Sequence, residues 1–222
     1  MGYTAIAITL GLVAGLVAGG RPANAARRSL RWWPALAGGA AAQWIPELLD
    51  VPESAAFAAV VASYAALAAF AVANLGLVGM PVVLLGLVLN IAVILANGGM
   101  PVRAEAIIAA DIAATPEEIA ALDFGSKRHL EDRDDRLTVL GDIVPVPPLR
   151  EVLSFGDLIL AAGVTNVVFR LLRPARSRRR TESSARGDIS LEERLGSPVS
   201  FAEASVIDLA GEERRLITTP GG

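Results

Sequence analysis

Five apolar runs dominate this chain, at residues 3–20, 32–49, 55–78, 80–97 and 155–172. The first, third and fourth contain no charged side chain. A helix that crosses the hydrocarbon core of a bilayer needs about 20 largely apolar residues, with a working range of about 17–25. Each run meets that length or falls slightly short of it. Lipid cannot hydrogen-bond the backbone, so a spanning segment of this kind must satisfy its own peptide groups as a helix. The pattern therefore predicts an all-α fold, a polytopic membrane bundle of five transmembrane helices. The second run is the weakest, because Pro34, Gly38, Gly39, Gln43 and Pro46 interrupt it.

Charge placement orients the expected bundle. The segment from Arg21 to Arg31 holds four arginines and no acid, whereas Glu47 to Glu53 holds three acids and no base. The long connection from Gly98 to Glu151 carries six bases against eleven acids. After the last run, Arg170, Arg173, Arg176, Arg178, Arg179 and Arg180 crowd together. Arginine gathers on the cytoplasmic side of membranes. Five spans with the amino terminus outside and the tail inside a bacterial inner membrane put every segment on the side this rule requires. Losing the second span would place one arginine cluster outside. The expected organisation is a membrane domain over residues 1–173, with an outer loop at 98–154. A basic, then mixed-charge cytoplasmic tail follows at 174–222 and is expected to be largely disordered.

Composition removes whole classes of function. No cysteine occurs among the 222 residues, so disulfides, thiolate nucleophiles and Cys-ligated metals are excluded. The net charge of −3 gives no basic balance for nucleic acid. No cofactor or metal site is indicated. His129, the only histidine, sits among Glu131, Asp132, Asp134 and Asp135 without the spacing of a metal site, and reads as a charged turn. "ANA" at residues 23–25 resembles a signal-peptidase site, but "MGYT" lacks the positive charge that precedes a signal peptide's apolar stretch. The first run is expected to be retained.

Small residues four apart mark helix interfaces in lipid. Gly11, Gly15 and Gly19 form such a stripe, serving a compact bundle or an interface to a second copy or another membrane partner. Trp32 and Trp33 suit the inner aromatic belt, and Trp44 the outer one. Asn90 lies mid-span with Asn97 seven residues on. An interhelical hydrogen bond or a pocket lining is expected of Asn90.

The outer loop carries turn and cap chemistry. Gly98 follows Asn97 as a helix stop, with Pro101 beyond it. Thr115, Pro116 and Glu118 form a capping box for a short amphipathic helix, and the preceding "VRAEAIIAADIA" is also helical in period, so a two-helix cap is expected. Ser154 and Asp157 form a second capping box at the head of the last run. On that reading Asp157 lies at the interface and requires no buried partner. Asp142 sits in a Gly-Asp turn before the extended "IVPVPP". It meets Asp157 only if the connector folds back to form an acid–base pair.

The combination "LNIAVILANGGMPV", "SKRHL", "LGDIVPVPP" and "LSFGDLILAAGV" resembles an uncharacterised family of bacterial integral membrane proteins, defined only as a domain of unknown function. The resemblance extends over about Met1 to Arg173. Its motifs fall on Asn97, Gly98, Met100, Pro101, His129, Gly141, Asp142, Pro145, Pro147, Ser154, Gly156 and Asp157. It implies membrane location and a shared outer face, and no activity. The expected role is a non-enzymatic scaffold or accessory subunit. The alternative is a membrane enzyme or small-solute binder with an outer-face pocket around Asn90, Asn97, Asp142 and Asp157. The basic cluster from Arg170 to Arg180 is expected to contact anionic lipid.

Overall fold

The computed structural model describes residues 2–44, 48–49, 51–125 and 127–174. Its helices are α1 (Gly2–Val17), α2 (Pro22–Ala26), α3 (Trp33–Ala42), α4 (Glu53–Ala73), α5 (Met80–Asn97), α6 (Ala104–Ala109), α7 (Pro116–Ala120) and α8 (Phe155–Leu172). Four strands join them: β1 (Met100–Val102), β2 (Arg128–Leu130), β3 (Asp142–Val146) and β4 (Glu151–Ser154). The tail residues Arg176, Arg178, Arg179 and Arg180 lie outside the described residues.

Three helices, α4, α5 and α8, are long and apolar enough to cross a membrane. The runs at 80–97 and 155–172 become helices with those same bounds. The others shorten. The first run yields 16 helical residues. The third stops at Ala73, where Asn74 turns its side chain onto backbone: its Nδ2 donates to the Phe70 and Arg31 carbonyls, and its Oδ1 accepts from the Arg31 N–H. The described residues of the second include the 10-residue α3, with Pro34 in its first turn.

The all-α expectation is corrected by a four-stranded mixed sheet ordered β2-β1-β3-β4. β1 pairs in parallel with β2 and β3, and β3 pairs antiparallel with β4. The two short helices anticipated in this region are present as α6 and α7, but they cover a sheet. They share a small core of Val102, Ala106, Ile107, Ala110, Ile119 and Val152.

The sheet marks one end of the helical bundle. β1 continues from the end of α5 and β4 runs directly into the start of α8. The start of α1 is held there too, the Gly2 N–H donating to Glu151 Oε1 at 2.9 Å. At the opposite end the Arg21 N–H donates to the Leu172 carbonyl, and Asn24 Nδ2 donates to that same oxygen at 2.9 Å. Arg28 reaches the Arg173 carbonyl. The arginines of residues 21–31 and those closing α8 therefore share one end, while the acid-rich connection covers the other.

Glycines set how closely the helices cross. A Cβ on Gly86 of α5 would lie 2.7 Å from the Gly156 carbonyl oxygen of α8, and one on Gly163 would lie 2.7 Å from the Val83 nitrogen. Contacts this short leave no room for a side chain, so α5 and α8 pack backbone to backbone, as small residues allow in lipid. The glycine stripe of α1 is used in the same manner. Gly11 and Gly15 are buried, and a Cβ on Gly11 would meet the Thr165 oxygen of α8 at 2.7 Å. Of the two uses expected for that stripe, the compact bundle is the one this packing of Gly11 and Gly15 on α8 fits. Gly19 does not belong to it: it turns the chain at φ +78°, with no atom near its missing Cβ.

Large apolar side chains face outward along the helices, among them Leu10, Val13 and Leu16 on α1 and Leu85, Val88 and Leu95 on α5. Contiguous apolar surface of this kind is unusual on a water-soluble monomer and suits hydrocarbon.

Candidate functional site

The junction of β4 and α8 is built by its sequence. Ser154 leaves the strand in an extended conformation and its Oγ accepts from the Asp157 N–H at 3.0 Å. Asp157 Oδ2 accepts in return from the Ser154 N–H at 3.1 Å, closing a reciprocal capping box. A cap of this type contributes about 1 kcal/mol and places a carboxylate at the positive end of the helix.

Asp157 does more than cap. It is buried, and its Oδ1 accepts from the Tyr3 hydroxyl of α1 at 2.9 Å and from Asn90 Nδ2 of α5 at 2.8 Å. Ser154 Oγ donates to Asn90 Oδ1 at 3.0 Å. The expectation that Asp157 needs no buried partner is thereby corrected: one carboxylate joins three helices. A Cβ on Gly156 would fall 1.8 Å from Asn90 Oδ1, so glycine is what lets Asn90 reach the cap.

Asp142 lies alongside. β3 pairs it with Val102 on one side and with Ser154 on the other, fixing it in the sheet three residues from Asp157 in register. Its side chain is 1% exposed, and Arg128 Nε stands 2.9 Å from Oδ2. That contact is Coulombic and not a directed hydrogen bond, because neither Asp142 oxygen finds a hydrogen-bond partner among the described residues. Burial pushes the Asp142 carboxyl up to about 7, with Arg128 opposing and the nearby Asp157 adding to the rise.

Asp142, Asp157, Asn90 and Arg128 converge on a cavity of about 570 Å³ inside the bundle. Tyr3, Tyr64, Gln43 and Lys127 complete its polar end, and Lys127 Nζ donates to the Gln43 carbonyl. The remaining wall is apolar, including Leu67, Phe70, Met80, Val83, Leu87 and Val164. The volume falls in the roughly 300–1,000 Å³ range of small-molecule sites, and an apolar wall with a few convergent polar groups is their usual build.

Asn97 is not part of this cavity, which corrects its inclusion in the polar cluster. Its Nδ2 donates to the Arg136 carbonyl and its Oδ1 accepts from the Arg136 N–H, both at 2.8 Å, so it clamps a loop onto the end of α5. Gly98 follows at φ +74°, a left-handed helix stop. Thr115 Oγ1 accepts from the Glu118 N–H, while the Glu118 carboxylate reaches the Ala114 N–H, one residue before the cap. His129 Nε2 lies 3.0 Å from Asp135 Oδ1. Burial alone would raise the Asp135 carboxyl, but the Asp132 N–H and His129 hold it below its ordinary value. Among the described residues no group of three or more His, Cys, Asp or Glu side chains is placed to hold a metal ion.

Arg128, Tyr3 and Tyr64 were not singled out by sequence reasoning. Tyr3 carried a signal, as a hydroxyl one residue inside the first span. Arg128 did not, because a three-residue strand is too short to reveal which side chain turns inward.

A mostly helical chain with three helices able to cross a bilayer and a small sheet at one end has the build of an integral membrane protein. The chain belongs to a family described as being of unknown function (DUF5317), whose model matches residues 28–169. Comparison with curated proteins and with solved structures gives no match.

The sign of the Asp142 effect is testable. An acid whose pKa is raised in the folded state keeps its proton there after the unfolded chain has lost it, so stability falls as pH rises between the two values. From an unfolded value of about 3.9 to a folded value of about 7, Asp142 should cost the protein on the order of 1.4 kcal/mol per pH unit. Asp142→Asn should flatten that part of the profile in unfolding measured from pH 4 to pH 8. Superimposable profiles would rule the burial account out.

Proposed function

We propose that the chain crosses a bacterial cell membrane five times, amino terminus outside, and binds a small amphipathic ligand in the cavity between its helices. The five-pass reading rests on the path of the chain. α1 starts at the sheet end and finishes at the arginine end, and α4, α5 and α8 each run between the two ends in turn. α3 follows Arg31 and finishes near Gln43, whose carbonyl meets Lys127 of the sheet end. Arginine at the opposite end suits the cytoplasmic face, and Arg170 and Arg173 there suit anionic lipid, at about 1 kcal/mol for each residue near the surface. Because the sequence has no cysteine, sidedness can be read from single substitutions. An impermeant maleimide should label Glu117→Cys on intact cells and Arg27→Cys only after permeabilisation. The reverse pattern, or equal labelling, would overturn the topology.

The cavity is the observation that carries the binding reading. Its apolar walls and single polar end match a molecule with one polar head and an apolar body, and they favour a binding protein over the scaffold or accessory subunit. Asp157, Asn90 and Ser154 spend their hydrogen bonds on one another, which leaves Asp142 open to a bound molecule. Protein purified in a membrane mimetic should retain one class of amphiphile near stoichiometric ratio, as read by extraction and mass spectrometry. Val164→Trp, which fills part of the apolar wall, should lose it while remaining monodisperse. The same lipid mixture released from both proteins would contradict the binding reading.

A further inference from the structure

The cavity has one end that is chemically unfinished. Tyr3, Asn90 and Ser154 all direct donors at Asp157, whose two oxygens accept three hydrogen bonds between them. Asp142 shares the same cavity and is as deeply buried, yet both of its oxygens lack a donor among the described residues. Arg128 offsets its charge without a directed hydrogen bond, and the Arg128 side chain is 41% exposed, so part of its own field is spent on solvent. A buried carboxylate left in that condition is costly, and the cost is relieved by any group that brings N–H or O–H to it. The sheet fixes the Asp142 backbone between Val102 and Ser154, so its side chain leaves from a buried strand position.

We infer that Asp142 is the head-group receptor of the cavity, and that the ligand is an amphiphile whose head donates hydrogen bonds, an alcohol or an amine, with its apolar body along Val83, Leu87 and Val164. The inference rests on the binding reading above and adds the chemical class. A carboxylate or other acceptor-only head is disfavoured, because it brings no N–H or O–H to the two unpartnered oxygens of Asp142. Arg128 and Lys127 line the same cavity.

The test uses the full chain in lipid nanodiscs at pH 8.5, where Asp142 is ionised, and four probes of equal chain length: dodecanol, dodecylamine, dodecanoate and dodecane. Binding is read by displacement of a fluorescent apolar reporter. Dodecanol or dodecylamine should bind roughly tenfold or more tightly than dodecanoate and dodecane, the factor expected of a hydrogen bond to a charged group. Asp142→Leu, close in volume but with no acceptor oxygen, should erase most of that preference. Preference for dodecanoate, or equal binding of all four probes, would overturn the head-group inference and leave the cavity reading standing. Displacement by none of the probes would overturn both. Because the ranking is measured first on the unaltered protein, it decides the ligand class even if the variant fails to fold.

Discussion

The buried carboxylate of Asp157 is the interaction on which the rest of the architecture depends. It caps α8, accepts from Tyr3 of α1 and accepts from Asn90 of α5, and so joins three helices at the end where the sheet begins. A carboxylate removed from water is tolerated only when its lone pairs are occupied. Here the donors come from elements far apart in sequence, so satisfying one group requires the whole end of the bundle to assemble. Gly156 and Gly86 are the steric counterpart, since only their missing side chains allow α5 to come close enough for Asn90 to reach.

The same arrangement creates the cavity. The helices meet tightly along the glycine lines, where α8 packs against both α1 and α5, and leave the space toward α3 and α4 unfilled by main chain. That space carries apolar walls, and the sheet closes its end with Asp142 and Arg128. A saturated carboxylate and an unsaturated one thus sit side by side: Asp157 holds the fold together, and Asp142 is left without a donor among the described residues. The function proposed here follows from this division of labour within one polar end.

Much of the membrane architecture was legible in the sequence. Length and apolarity located α5 and α8 to the residue, and the Ser154–Asp157 spacing located the start of α8 through its cap. The sheet was not legible, for a physical reason. Its strands are three to five residues long, too few to display period-two alternation, and Pro101 and Pro145 within them argue against ladder pairing. The encounter of Asp142 with Asp157 was considered from the connector alone and could not be resolved, because strand register, invisible without the sheet, brings them together. Asn97 failed in the opposite direction. A helical face seven residues on from Asn90 implied a shared pocket, but helix α5 ends there and Asn97 turns to the Arg136 loop.

The most direct test of the central role given to Asp157 is a double-mutant cycle between Tyr3→Phe and Asp157→Asn, measured as unfolding free energy in one membrane mimetic. Direct contact in a shared network gives coupling energies of about 0.5–3 kcal/mol, whereas distant independent sites add to within about 0.3–0.5 kcal/mol. The expected result is coupling well inside the first range, with Tyr3→Phe nearly silent once Asp157 has been replaced. Strict additivity of the two substitutions would contradict the claim that this carboxylate binds α1 to the rest of the bundle.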